Sequence, residues 1–273
     1  MEVIILLHFR EGLGDCYSSI LTGFYTKKQL EKLGLSVSFE ILSNNLYIKN
    51  YDKMWYELFD FTEIGETPNI VSGERYLEIK DKYKELEKDR NVLEIFYSKD
   101  AEDIIKGYKH KNYDVNEPYN LKTITYTPKL INKDLLDTTH KKYSKYKDYV
   151  CIHIRTGDSS LNSEINSLRG KRFFDEKFNE IESLISEDNN IYYYILSDNN
   201  KVRKYFTDKY DNCSSDIFED DVILHQIKSS NYDTMEIVKT NVIEMCGMSY
   251  FKDIITIGTW KSNFTLYGRI NTP

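Results

Sequence analysis

Apolar residues dominate from Glu2 to Phe9, the pattern of a strand buried on both faces. Arg10-Glu11-Gly12-Leu13-Gly14-Asp15 then breaks the run with two glycines and a carboxylate suited to capping a helix. A helix is expected from there, because Ile20, Leu21, Phe24, Leu30 and Leu33 keep roughly helical spacing up to Gly34, which suits a C-terminal cap. Val37, Phe39 and Ile41 alternate as a strand does. Strand, glycine turn, helix and strand in this order open an α/β unit with a parallel sheet.

Farther on, Tyr76 to Arg90 is charged nearly throughout, as an exposed helix would be, and Val92 to Phe96 offers a short strand. Lys109 to Pro128 holds two of the four prolines and little periodicity, which predicts an irregular connection before a helix near Lys133 to Tyr146. In the second half, strand-like runs alternate with helical ones. Tyr149 to Ile154, Ile191 to Leu196 and Ile254 to Ile257 read as buried strands; Phe174 to Ile185, Asn199 to Phe206 and Thr234 to Tyr250 read as helices. The expectation is an α/β protein of two Rossmann-like domains, residues 1–145 and 146–273, with the boundary in or just after the helix near residue 145.

Composition narrows the function classes. The 273 residues carry 40% apolar and 30% charged side chains, a globular balance with room for a sizeable core. The apolar stretch Val3 to Leu7 is far below the ~20 residues of a membrane span, and no basic segment precedes it, so neither an integral membrane segment nor a signal peptide is expected. A net charge of -7 is the wrong sign for gripping nucleic acid through its phosphates. Cys16, Cys151, Cys213 and Cys246 share no metal-ligand spacing and form no disulfide framework, which points to a reducing, cytoplasmic setting.

Candidate chemistry gathers where strands end. Val150-Cys151-Ile152-His153-Ile154-Arg155-Thr156-Gly157-Asp158 runs from a buried strand straight into polar groups, and alternation puts His153 and Arg155 on one side. Open α/β sheets bind ligands at the carboxyl ends of their strands. An arginine there suits a diphosphate, because its planar fork is bidentate and keeps its charge, and Gly157 allows close backbone approach. The same residues also suit a core histidine and an arginine paired with Asp158 in a structural turn. Near the end of the chain, Ile257-Gly258-Thr259-Trp260-Lys261-Ser262-Asn263-Phe264-Thr265 follows a strand with groups that open a short helix, where Ser262 and Asn263 would favour an anion or act as ordinary caps. Ser197-Asp198 ends another strand, with Asp198 suited either to capping the next helix or to meeting a ligand.

His153-Ile154-Arg155-Thr156-Gly157-Asp158 resembles the HxRxGD-type motif of GDP-fucose-dependent fucosyltransferases, the group that includes α1,2-, α1,6- and protein O-fucosyltransferases. Ile191 to Asp198 resembles that family's strand ending in Ser-Asp, and the segment through Ser262-Asn263-Phe264-Thr265 its late strand followed by Ser-Ser-Phe-Ser/Thr. Gly12 to Asp15 looks like its early glycine-rich turn. The resemblance spans residues 150–268 and that turn.

It implies a GT-B architecture, two Rossmann-like domains facing a central cleft. The N-terminal one would lie on the acceptor side, with Gly12 and Gly14 in its loop, and the C-terminal one would hold the nucleotide-sugar. Arg155 would stabilise the diphosphate leaving group, with His153, Gly157, Asp158, Ser197 and Asp198 around the donor. Ser262, Asn263 and Phe264 would lie at the phosphates and Glu244 at the guanine edge. The implied reaction is an inverting, metal-independent transfer of fucose from GDP-fucose to a glycan hydroxyl, with no cofactor. Glu164 or Asp15 would be the general base, though Glu164 equally suits a solvated loop and Asp15 a helix cap. The chain departs from the family in having Thr156 where several members carry a second arginine, and Asn263 for the second serine; some cationic stabilisation is then either missing or supplied elsewhere, by Lys171, Arg172 or Arg269. The turn Gly12-Leu13-Gly14-Asp15 also resembles heptosyltransferase-like GT-B enzymes. An ADP-heptose-like donor, or a nucleotide-sugar-binding protein without catalysis, are the alternatives.

Overall fold

A computed structural model describes residues 2–9, 13–32, 34–43, 51–64, 68–71, 92–95, 131–155, 168–188, 190–218 and 234–258. The expected helix at Tyr76 to Arg90 and the irregular connection at Lys109 to Pro128 lie outside these residues. The chain forms two compact units, Met1–Asp134 and Leu135–Pro273.

In the first unit, β1 (Glu2–Phe9), β2 (Ser36–Ser43), β3 (Asn69–Val71) and β4 (Val92–Ile95) form a parallel sheet in the order β3-β2-β1-β4. Val3, Ile5, Leu6 and Leu7 are all buried, so β1 is covered on both faces, which explains its unbroken apolar run. Helix α1 (Leu13–Lys32) connects β1 to β2, and Gly23 lets it approach closely, since a Cβ there would lie 2.6 Å from Leu7 Cδ2 and 3.0 Å from Phe39 Cε1. Asp15 falls at the third position of α1, two residues inside it, so it is not the capping residue that its place after the glycines suggested. The other end follows expectation. Gly34 has φ 78°, its N–H donates to the Glu31 carbonyl (2.9 Å) and the Leu35 N–H to that of Leu30 (3.3 Å), a Schellman motif. Helix α2 (Tyr51–Leu58) was not expected; it brings Trp55 and Phe59 into a stacked pair against Tyr17 of α1.

The second unit repeats the plan. Its strands β5 (Val150–Arg155), β6 (Tyr193–Ser197), β7 (Cys213–Ser214) and β8 (Asp253–Gly258) are parallel in the order β7-β6-β5-β8. The helices are α3 (Lys133–Tyr143), α4 (Leu168–Glu187), α5 (Asn200–Lys209) and α6 (Thr234–Gly247). Ile152 and Ile154 pack with Ile181 and Ile185 of α4 and Val202 and Phe206 of α5. On the opposite face Cys151 packs with Tyr143, Tyr194, Met248, Phe251 and Ile254. The end of α3 is buried in the second core through Tyr143. Among the described residues no helix is long and apolar enough to cross a membrane. All four cysteines are free and buried.

Gly247, the last residue of α6, lies against the Tyr143 ring, where a Cβ would meet Cδ2, Cε2 and Cγ at 2.5, 2.6 and 2.9 Å. The ring cannot easily yield, because its hydroxyl donates to Asp216 Oδ2 (3.2 Å) and its edge packs on Tyr194 and Phe251. Overpacking costs about 1–3 kcal/mol, more than the ~1 kcal/mol that alanine gains over glycine in a helix. Gly247→Ala is therefore expected to lower the urea unfolding midpoint, and an unchanged or raised midpoint would contradict this packing.

Candidate functional site at the carboxyl ends of the second sheet

Chain order and sheet order together locate the site. From β5 the chain moves to β6 and then β7 on one side, and returns through α6 to place β8 on the other. The reversal falls between β5 and β8, the kind of switch point where open α/β sheets form a crevice outside their carboxyl ends. His153 lies in register between Leu196 and Thr256, Ile154 pairs with Ser197, and Arg155 pairs with Gly258. The His153 and Arg155 side chains share the face on which Cys151 packs, as the alternation required.

His153 is buried and Arg155, at the strand's end, half-buried. Burial pushes the His153 imidazole down to about 4; Asp198 opposes the shift, while the charges of Arg203 and Arg155 add to it. At neutral pH it is therefore an uncharged ring with one donor and one acceptor nitrogen. Fixed positive charge at the end of β5 belongs to Arg155.

After β6 the chain makes a tight turn. The Asn199 N–H donates to Ser197 Oγ (3.2 Å), and Asn199 Oδ1 accepts from the Lys201 N–H (2.8 Å). Asn199 is thus the N-cap of α5, a role the sequence had offered to Asp198. Asp198 is half-buried and accepts a long bond from Ser197 Oγ (3.5 Å). Asn200 exchanges two hydrogen bonds with the Phe218 backbone, its Nδ2 donating to the carbonyl (2.6 Å) and its Oδ1 accepting from the N–H (3.0 Å).

Glu244 differs from the expectation of a side chain presented to a guanine edge. It is 2% exposed, and both its oxygens are taken by Arg203, from Nη1 at 2.7 Å and Nη2 at 2.9 Å. Arg203 is itself fully buried on α5. Burial works against its charge, but the Glu244 carboxylate outweighs that and raises its pKa. The sequence reading missed Arg203. Its signal was an arginine one position past Val202 in the buried stripe Val202–Phe206, matched by a lone carboxylate in Val242-Ile243-Glu244-Met245-Cys246. Charged residues in such stretches are seldom buried without a partner.

Gly12, Gly157, Asp158, Glu164, Ser262, Asn263 and Phe264 lie outside the described residues, as do the side chains of Asp15, Lys171 and Arg172 and the whole of Arg269. Among the described residues no three His, Cys, Asp or Glu side chains gather as a metal-binding group.

No family model and no curated protein matches the chain. Its fold class, mixed α/β with parallel sheets, has solved counterparts. The chain is similar to the crystal structure of NodZ alpha-1,6-fucosyltransferase soaked with GDP-fucose, with a TM-score of 0.52 and 12% identity over 100% of this chain and 94% of that one. NodZ co-crystallized with GDP gives 0.52 and 12% over 98% and 92%. The selenomethionine form of fucosyltransferase NodZ from Bradyrhizobium gives 0.54 and 12% over the same shares. At this identity the likeness is one of fold.

The imidazole's shift has a measurable consequence. Between pH 6.5 and about 4 the unfolded chain binds a proton at His153 that the folded chain does not, so this residue's contribution to stability is full above that window and is lost as pH falls through it. The loss should reach on the order of 3 kcal/mol. Unfolding titrations at pH 7 and pH 4.5 should show a smaller stability loss in His153→Gln than in the native chain. Equal losses would show that His153 is not a source of the pH dependence.

Proposed function

We propose that the chain is a glycosyltransferase of GT-B architecture that transfers fucose from GDP-fucose to a glycan hydroxyl, with inversion and without a metal. The observation that carries this reading is the placement of His153-Ile154-Arg155 at the end of the central strand β5, at the point where the strand order reverses, with Gly258 in register opposite Arg155. The fold likeness supports it, because the counterparts are fucosyltransferase structures, one soaked with GDP-fucose and one co-crystallized with GDP. The second unit would hold the donor and the first the acceptor, in a cytoplasmic setting.

On this reading the acceptor oxygen attacks the anomeric carbon as the bond from that carbon to the β-phosphate oxygen breaks, its electron pair leaving with GDP. The acceptor proton passes to a carboxylate, Glu164 or Asp15. Charge builds on the diphosphate, and a guanidinium fixed beside it lowers the barrier more than it stabilises the ground state. Arg155 fills that role. The neutral His153 holds the nucleotide by hydrogen bonding and brings no second cation. Ser262, Asn263 and Phe264 would add donors at the phosphates, and Gly157 and Asp158 would complete the turn after β5. Ser197 and Asp198 would border the donor from β6.

Calorimetric titration without added metal should show a clear preference for GDP over ADP and UDP. A preference for ADP would favour an ADP-heptose-like donor, and GDP binding without turnover on any acceptor would favour a non-catalytic binding protein. Arg155→Ala should lower transfer from GDP-fucose about 10²–10³-fold while leaving the melting temperature nearly unchanged, as for loss of one preorganised donor at a developing oxyanion. Unchanged turnover in this variant would overturn the proposal.

A further inference from the structure

The Arg203 guanidinium is saturated. Its Nε donates to the Ser197 carbonyl (2.7 Å) and Nη2 donates to the same oxygen. Nη1 donates to the Asp216 carbonyl (3.3 Å), and Nη1 and Nη2 each donate to one oxygen of Glu244. Five contacts match the five N–H groups an arginine has. The Phe218 ring lies 5.1 Å from the guanidinium carbon, and Phe218 is tied to Asn200 at the start of α5. One side chain thus joins four pieces of the unit: the last residue of β6, the segment after β7, helix α5 and helix α6.

The target of this clamp is specific. Ser197 is where β6 stops, and it pairs with Ile154, the residue between His153 and Arg155. At the end of a strand the sheet offers a carbonyl fewer partners, and here two N–H groups of one arginine converge on it. The turn it precedes, Ser197 to Asn199, then builds the rim beside β5.

A buried ion pair is a weak device for stability alone, because desolvating two charges offsets most of their attraction, and apolar replacements of both partners are often neutral or stabilising. Its geometric demand is greater, since a fork with five donors tolerates little displacement of its acceptors.

We propose that Arg203, paired with Glu244, is a positioning residue of the donor site, fixing the carboxyl end of β6 and the Ser197–Asn199 turn beside His153 and Arg155. This inference rests on the nucleotide-sugar reading above. It assigns Glu244 the task of orienting Arg203 in place of contact with the base. Arg203 also lowers the His153 pKa, so the clamp helps keep that imidazole neutral.

The test replaces the pair by apolar residues, Arg203→Met with Glu244→Leu, so that no buried charge is left alone. The double variant is expected to melt at or above the native temperature, yet to bind GDP at least tenfold more weakly in calorimetry. Amide hydrogen exchange at Asp198, Asn199 and Asn200 is expected to speed up about tenfold or more, with the β5 and β8 core amides unchanged. Native GDP affinity together with native exchange at the turn would overturn the proposal and leave the pair a purely structural one. If the double variant does not fold, Arg203→Lys, which keeps the charge and loses the fork, should show a severalfold loss of GDP affinity; an unaltered affinity in that folded variant would equally overturn it. Should the native chain not bind GDP, the nucleotide-sugar reading fails by itself. The exchange measurement then decides the positioning role alone: fast exchange confined to the turn sustains the clamp, and native exchange sinks it.

Discussion

The second unit is governed by the need of a parallel strand to bury both of its faces. With β6 on one side and β8 on the other, β5 has its backbone groups committed to two ladders, while Ile152 and Ile154 fill one face and Cys151 the other. Polar side chains then find room only toward the end of the strand, and His153 and Arg155 stand there. The chain's path decides which end matters. Because β8 returns to the opposite side of β5 from β6, the strand order reverses between β5 and β8. The first sheet obeys the same order, with β1 between β2 and β4 and the glycine-bearing segment following β1.

Charge in this region is divided between groups by how they respond to burial. Desolvation drives an imidazole to its neutral form but leaves an arginine charged, so a site built under packed helices can use a histidine for directional hydrogen bonds and must use arginines for charge. His153 and Arg155, two residues apart on one face, follow that division. Arg203 is a further cation of this unit, but its charge is spent inward on Glu244 and on two backbone carbonyls. One arginine is therefore turned to the end of the strand and the other anchors the neighbouring strand.

Much of this was legible in the residues. The strand from Glu2 to Phe9 and the helix ending before Gly34 are where the apolar pattern put them, because burial on both faces and a left-handed glycine leave strong local signatures. The strand expected at Ile191 to Leu196 forms two residues later, at Tyr193–Ser197. Ile191 and Tyr192 are apolar by type but 36% and 52% exposed, and the pattern counts side-chain chemistry without knowing where the sheet begins. Strands β3 and β7, three and two residues long, are too short for any periodicity and exist by pairing with neighbours far away in the chain. Helix α2 escaped notice for a similar reason: eight residues give Trp55 and Leu58 no repeat to join. The position of His153 and Arg155 at the end of β5 was legible because polar residues closing an apolar strand are conspicuous. The pairing of Glu244 with Arg203 was not legible, because a carboxylate's partner 41 residues earlier leaves no local trace.

A carboxylate inside an apolar helix has two explanations, a ligand outside or a cation inside, and the helix's own surroundings distinguish them. Val242, Met245 and Cys246 are buried around Glu244, so α6 is covered on nearly every side. A carboxylate held there without a permanent counter-charge would be uncompensated whenever a ligand left, at a cost of several kcal/mol. A binding site that empties in each cycle cannot carry such a penalty without losing its fold. The permanent cation must come from the protein, and Arg203, in the buried stripe of α5, supplies it. The same reasoning separates Arg155 from Arg203: the half-buried arginine at the end of β5 keeps access to water, and the fully buried one on α5 requires its partner at all times.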